Sequence, residues 1–278
     1  MTLNEWRQWQ LPILKELSFQ PSTLPVTVLI YHFWGKAETE MRFAETACSI
    51  LQTWKCCGLL PTAIVTNATP PPSMQSFVAR YPNVRIHENS EYLKPGSVTS
   101  MSYDCNANLA SYFQTDYVLI VQNDGFPLQP GLDAFIGRHN YWGAPFIRPA
   151  GLKHIVDKFL NISVGNGGFS LRTRDICLAV NNRWKRWEKR IADCWLQEDT
   201  FSCLTLRLLS PSYARRLSLP NRKEAERFAY DELIAIPPPR ELPFGVHGAN
   251  SFKTLSRIFE HEMLSLFAKS RFDNFSAS

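Results

Sequence analysis

Residues 118–131, VLIVQNDGFPLQPG, set the tightest limit on what this chain can fold into. Four apolar, mostly β-branched residues, 118–121, lead straight into Gln122, Asn123 and Asp124 before Gly125 breaks the run. An unbroken apolar run is the pattern of a strand buried on both faces, as in a parallel sheet covered by helices. Two amides and a carboxylate are costly to bury without partners, and in open α/β sheets ligands bind outside the carboxyl ends of the strands. The stretch therefore predicts an architecture and also where function should lie.

The rest of the chain reads consistently with such a sheet. Residues 26–31 (VTVLIY), 62–66 (TAIVT), 84–87 and 117–121 are expected strands, with helices over 38–54 and 100–113 between them. Strand and helix in alternation imply a mostly parallel central sheet flanked by helices. The second half is less regular: strands are expected at 141–147, 168–171 and 228–236, and helices at 175–181, 183–194 and 200–209. Residues 252–267 place Phe252, Leu255, Ile258, Phe259, Met263, Leu266 and Phe267 at helical spacing. That C-terminal amphipathic helix would pack on its own domain, with an oligomer contact or membrane-surface docking as its other uses. The expected division is a helical extension over 1–25, one α/β domain over 26–250, and a C-terminal helix and tail over 251–278.

Length and composition narrow the class. The 278 residues, 45% hydrophobic and 20% charged, suit a globular chain and exclude a wholly disordered one. No apolar run approaches the roughly 18 residues of a membrane span, and the N-terminus lacks a signal-peptide pattern, so a cytoplasmic location is expected. Seven cysteines show no C-x-x-C pair and no zinc spacing, which argues against structural disulfides. The net charge of +5 is concentrated in 172–190 and 207–227. Those segments are either solvated helix faces or a surface for phosphate groups or an anionic membrane; no nucleic-acid recognition pattern is present.

Four places can carry chemistry. Asp124, before Gly125, either closes a turn through its own side chain or binds a divalent cation that bridges phosphates. In VGNGGFSLR, 164–172, Gly167 and Gly168 let the backbone turn sharply or approach a ligand closely. Glu198 and Asp199, in WLQEDTFS, open a helical pattern where the dipole favours acids, or one of them serves as a general base. His247, in PFGVHGAN, lies between small residues; it is a structural histidine, a metal ligand or a phosphate partner.

In chain order, QND-G after a buried strand, then WGAPF, NGGFSLR, the ED pair and PFGVHG resemble a family of bacterial and fungal glycosyltransferase-like domains of uncharacterised function. That family is similar to the GT-A class of nucleotide-sugar glycosyltransferases, and the resemblance covers roughly residues 26–250. It implies a GT-A-like single domain with a Rossmann-like sheet. It further implies that Asp124 holds the last position of a D-x-D motif that binds metal and donor diphosphate. His247 would match a C-terminal histidine that completes the metal site. Asp199 would be the base of an inverting transferase, with Glu198 as its neighbour, and Gly167 and Gly168 would lie along donor sugar and acceptor. One position departs from the pattern. The first carboxylate of D-x-D is here Gln122, so the motif reads Gln122–Asn123–Asp124. A glutamine brings no charge, so the implied Mn2+ or Mg2+ should bind more weakly. Metal-independent transfer is the alternative, with His247 and basic side chains neutralising the diphosphate.

The implied reaction transfers a sugar from a nucleoside diphosphate, a UDP-sugar first, to a glycan or lipid-linked acceptor. An origin in bacterial surface-polysaccharide or glycoconjugate synthesis, at the inner face of the membrane, follows only by analogy with the class. The nucleoside would meet the ends of the first two strands at His32, Thr66 and Asn67, with Tyr103 and Asp104 as further candidates. Trp142 and Trp195 would stack on acceptor sugars or else pack in the core. Two rivals stand beside this reading. One is a glycosyltransferase-like domain that has lost catalysis and only binds a carbohydrate or partner. The other is a sugar nucleotidyltransferase, which needs a glycine-rich phosphate loop where this chain reads YHFWGKAETE.

Overall fold

A computed structural model describes residues 1–145, 165–191, 197–208, 218–231 and 239–268 of the chain. In chain order these form α1 (Leu3–Glu16), β1 (Val26–His32), α2 (Lys36–Cys57), β2 (Thr62–Thr66), α3 (Pro72–Arg80), β3 (Val84–Glu88), α4 (Val98–Asn108) and β4 (Tyr117–Val121). The second half adds β5 (Gly125–Pro127), β6 (Tyr141–Gly143), β7 (Ser170–Thr173), α5 (Arg174–Ile191) and α6 (Glu198–Leu208). It ends with α7 (Arg222–Phe228), β8 (Ala229–Asp231), β9 (Gly245–His247), α8 (Ala249–Ile258) and α9 (Glu260–Ala268).

The main sheet has the order β3-β2-β1-β4-β7-β6. β1 to β4 run parallel, with Ile30 opposite Val121 and Val28 opposite Thr62, while β7 is antiparallel to both β4 and β6. This is the expected α/β arrangement: a parallel-rich sheet with helices on both faces and helices at the C-terminal end. Its central strands are buried throughout β1 and β2, and β4 is buried but for Tyr117 at its start, as a two-sided cover demands. Alternation sorts their side chains. Val26, Val28 and Ile30 meet α2 through Phe43, Ala47, Leu51 and Trp54, and Leu29 and Tyr31 face α4 and α5 through Met101, Cys105, Ile176 and Val180.

Several local expectations are revised. The two helices expected over 175–194 are one continuous α5 where described, because Asn181, which would tend to break a helix, is held by tertiary partners. Its side chain accepts from the Ala110 amide at 3.0 Å and donates to the Asn106 carbonyl at 2.6 Å. The single C-terminal helix is two, α8 and α9, broken at Phe259, whose backbone leaves helical geometry (φ −113°, ψ 37°). Of the small sheet β5-β9-β8, β8 falls within the strand expected at 228–236, while β5, β9 and helices α3 and α7 lie where no element was expected.

Helix α1 meets α8 and α9 on the α2 face. Trp6 of α1 stacks on Phe126 with centroids 4.6 Å apart and planes at 9°, and also contacts Phe252 and Phe267. The C-terminal apolar stripe, Phe252, Leu255, Phe259, Met263 and Phe267, is buried there. Ile258, expected on the same stripe, is exposed, and Leu266 is half-buried. Among the described residues no helix is long and apolar enough to cross a membrane, and no disulfide joins the cysteines.

Candidate active site

The site is built by turning the end of β4 back on itself. Gln122 and Gly125 exchange two backbone hydrogen bonds, 2.9 and 3.1 Å, which leaves Asn123 and Asp124 as the tip of a two-residue turn. The returning strand β5 pairs with β9, Gly125 opposite His247, and the Gly248 amide donates to the Asp124 carbonyl at 2.8 Å. A sequence separation of 123 residues is thereby closed to side-chain contact. His247 Nε2 lies 3.1 Å from Gln122 Oε1 and 3.8 Å from Asp124 Oδ1. The turn is braced from outside. The Asn123 side chain donates to Glu45 Oε2 at 2.8 Å, and its carbonyl accepts from Ser49 Oγ at 3.1 Å and from the Arg7 guanidinium.

The glycines of NGGFSLR make room for side chains of the protein itself. A Cβ on Gly168 would lie 2.0 Å from His247 Nε2, and one on Gly167 would lie 1.8 Å from Glu198 Oε1. Asn166 orders the turn between them, accepting from the Gly168 amide at 3.0 Å. Two residues with no role assigned from sequence complete the arrangement. Asp231 Oδ2 lies 2.7 Å from His247 Nδ1 and 2.7 Å from Asn166 Nδ2. Arg172, buried, forms a 2.6 Å ion pair with Glu198 and lies over the Tyr141 ring at 4.7 Å. Asp231 carried a signal that went unread: FAYD is an apolar run ended by a carboxylate, the same pattern as in the 118–124 stretch.

The acidic pair is split by these contacts. Glu198 is buried and tied to Arg172 beneath Gly167, so its carboxylate is engaged within the fold. Asp199 is buried as well; its carboxylate accepts from the Thr200 hydroxyl at 3.2 Å, and its charge acts on His247. Burial alone would disfavour protonation of His247. The hydrogen bond to Asp231, with the charges of Asp124, Asp231 and Asp199, outweighs it and raises the pKa above the usual histidine value. The site opens to solvent: the side chains of Asp124 and His247 are 36% and 20% exposed, against 5% for Asp231.

Could these residues hold a divalent cation? Two carbonyl-type oxygens and one imidazole nitrogen suit Mn2+ or Mg2+ completed by phosphate oxygens and water. Adjacent ligands of a six-coordinate ion of this size stand roughly 3 Å apart, close to the separation of Gln122 Oε1 and His247 Nε2. A carboxylate behind the imidazole is the usual support of a metal-bound histidine. The set fits such an ion. It has one full charge, however, and among the described residues no group of three or more His, Cys, Asp or Glu side chains converges as a metal cage.

The residues expected to meet the nucleoside behave differently. His32 continues the even-numbered face of β1, so its ring is driven under α2. Its Nδ1 bonds Thr46 Oγ1 at 2.9 Å and its Nε2 the Thr39 carbonyl at 3.0 Å, and burial lowers its pKa. Thr66 is buried and donates to the Ala68 carbonyl, and Asn67 donates to the Trp34 carbonyl. Asp104 is fully buried and accepts from Asn89, Asn108 and Tyr112 at 2.6, 2.8 and 2.9 Å. Tyr103 stacks on Tyr92 and meets Trp184 edge-on. Trp142 is core: its indole donates to the Phe135 carbonyl at 2.9 Å and it packs against Phe135 and Phe228. The polar atoms of His32 and Asp104 thus have internal partners, and Trp142 takes the core packing expected as its alternative. Trp195 lies outside the described residues. A separate cavity of about 390 Å3, lined by Thr27, Thr62, Asn83, Arg85 and His87 among others, opens beside β1–β3 and shares no residue with the site.

A family model described as "Protein of unknown function (DUF5672)" matches residues 101–247, the span from α4 through His247. No curated protein matches the chain in sequence. Among solved structures, the mannosyltransferase Ktr4p from S. cerevisiae in complex with GDP superposes with a TM-score of 0.49 at 9% identity, over 75% of this chain and 77% of that one. Core-mannan synthase A from Aspergillus fumigatus, in an Mn/GDP form, gives 0.49 at 9% identity over 70% and 73%. The galactosyltransferase LgtC with donor and acceptor sugar analogs gives 0.48 at 12% identity over 87% and 95%.

Proposed function

The chain belongs to the DUF5672 family, for which no function is given, and from its site we infer that it is a glycosyltransferase moving a sugar from a nucleoside diphosphate to an acceptor hydroxyl. One observation carries this reading: Gln122 Oε1, Asp124 Oδ1 and His247 Nε2 gather at the carboxyl end of β4, with Asp199 within electrostatic reach. The sequence resemblance through QND-G, NGGFSLR and FGVHG supports it from an independent side.

Each residue has a task set by the chemistry. Asp124, His247 and Gln122 would hold Mn2+ or Mg2+ against the donor diphosphate, and the cation supplies positive charge where the leaving group becomes negative. Asp199 accepts the proton of the incoming hydroxyl, which is a poor nucleophile until it is deprotonated. Arg172 holds Glu198 by an ion pair, and Asp199 is the member of the pair whose charge reaches His247. The sugar passes through an oxocarbenium-like state, and attack on the face opposite the leaving group inverts the anomeric carbon. A UDP-sugar is the first choice of donor and a glycan or lipid-linked molecule the acceptor, with the basic residues of α5 suited to an anionic membrane surface. An inactive sugar-binding domain is the second reading, favoured by one observation, the neutral Gln122 in place of a carboxylate.

A thermal-shift screen over UDP-, GDP-, CMP- and dTDP-sugars, with and without Mn2+, tests the proposal. One donor class should raise the melting temperature selectively, by linkage equivalent to about 2.7 kcal/mol at one hundred times its Kd. Asp124→Ala should remove the Mn2+-dependent part of that shift. No stabilisation by any sugar nucleotide would refute the transferase, and stabilisation without turnover on any glycan would favour the inactive binder.

A further inference from the structure

We propose that Asp231 is a positioning residue: it fixes the ring of His247 so that Nε2 is presented to the mouth of the site, and Asn166 couples that arrangement to the NGG turn. The proposal rests on the reading of His247 as a residue that faces the diphosphate and its cation.

Two acceptors compete for the proton of this imidazole. Gln122 Oε1, 3.1 Å from Nε2, would by itself draw the N–H to the ligand side and leave no lone pair there. Asp231 Oδ2, 2.7 Å from Nδ1, offers a shorter bond to a charged acceptor, and bonds of that kind are roughly twice as strong as neutral ones. The proton of the neutral ring is therefore held on Nδ1 and the lone pair of Nε2 faces Gln122 and Asp124. The backbone enforces the pairing, because β8 runs parallel to β9 with Asp231 opposite His247. Asp231 is itself held: Asn166 Nδ2 donates to the same oxygen, and Asn166 Oδ1 takes the Gly168 amide, next to the ring. The carboxylate is buried, so it acts on the site through His247 and does not meet a ligand.

The test uses the full chain and Mn2+ alone, with free Mn2+ followed by electron paramagnetic resonance at fixed pH and salt. Asp231→Asn should weaken Mn2+ binding about 10- to 100-fold, the usual effect of losing a partner behind a metal-bound histidine. In a His247→Ala background the same substitution should change nothing further. An equal loss in both backgrounds would mean that Asp231 merely supports the fold, and would overturn the proposal. A metal-free readout stands beside it: 15N NMR of His247 at a pH where the ring is neutral should show Nδ1–H in the wild type and a shift toward Nε2–H in Asp231→Asn. An unchanged tautomer overturns the proposal. A changed tautomer in a protein that binds no Mn2+ upholds the positioning role while removing the cation from the proposed function. Should Asp231→Asn fail to fold, Asn166→Ala takes its place, with a smaller loss of Mn2+ affinity that again vanishes without His247; a loss that persists there counts against the proposal.

Discussion

The carboxyl edge of the sheet holds two groups of polar side chains, one after β1–β3 and one after β4. They look alike in sequence, each a histidine, amides and carboxylates at strand ends, yet their partners differ. In the first group His32 has both ring nitrogens engaged within the fold, and Asp104 is surrounded by donors from Asn89, Asn108 and Tyr112. In the second, His247 meets the buried Asp231 through Nδ1 and Gln122 through Nε2, and that outer nitrogen stands beside Asp124 at the solvent boundary. The first group turns its polar atoms inward, with the buried Asn67 Oδ1 left without a partner; the second stands at the solvent boundary. A polar residue at a strand end therefore marks a ligand site only when its hydrogen-bonding capacity is not spent inside the fold.

The sharpest attempt to break this contrast acts on the open side. Asp199→Asn removes the proton acceptor while keeping shape and should lower sugar transfer by roughly 100- to 10,000-fold, with the affinity for the sugar nucleotide largely kept. Turnover near the wild-type value would take the base role away from Asp199. The donor identified by thermal shift is the substrate for this measurement.

A smaller effect is expected at Gly168, whose backbone is not in the left-handed region, so that alanine is conformationally acceptable. What alanine cannot have is space, since its Cβ would fall 2.0 Å from His247 Nε2. Gly168→Ala should push the ring from its place and reduce Mn2+ affinity about as far as Asp231→Asn, without unfolding the protein. If Mn2+ titration of Gly168→Ala matches the wild type, His247 is not what shapes the open site.

How much of this contrast can be read from the sequence follows from the range of each interaction. The buried strands, α2 and the end of β4 are legible because apolar periodicity is local. So are Asp124, His247 and the NGG turn, which stand out by residue type. The closure of His32 and Asp104 is not, because all their partners but Asn108 lie on other elements; only the even-numbered register of β1 hints that His32 points at α2. Asp231 escapes for a similar reason. Its meeting with His247 depends on the pairing of β8 with β9, 16 residues apart in sequence, and on the fold of the small sheet. The loss of Glu198 to Arg172 likewise needs β7 to be packed against α6 before it exists. Trp142 illustrates the general case: an aromatic beside a glycine reads equally well as a sugar platform or as core until Phe135 and Phe228 are seen around it.

The closed side yields the smallest effect on function and a distinct signature in stability. Asp104→Ala leaves the half-buried donors of Asn89, Asn108 and Tyr112 without their acceptor, at a cost of about 1–3 kcal/mol, and should leave sugar-nucleotide affinity unchanged. The pH dependence adds a sign. Burial raises the pKa of Asp104 in the fold, against the hydrogen bonds of Asn108 and Tyr112 that lower it. A carboxyl group whose folded pKa is raised contributes most below its unfolded value of about 3.9, and that contribution shrinks as pH rises through the folded value. The cost of Asp104→Ala, measured by denaturant titration, should therefore be larger near pH 4 than at pH 7. If the order is reversed, the hydrogen bonds dominate over burial and Asp104 is held as a stabilised anion. If sugar-nucleotide affinity falls along with stability, the division of this sheet edge into a closed and an open half does not hold.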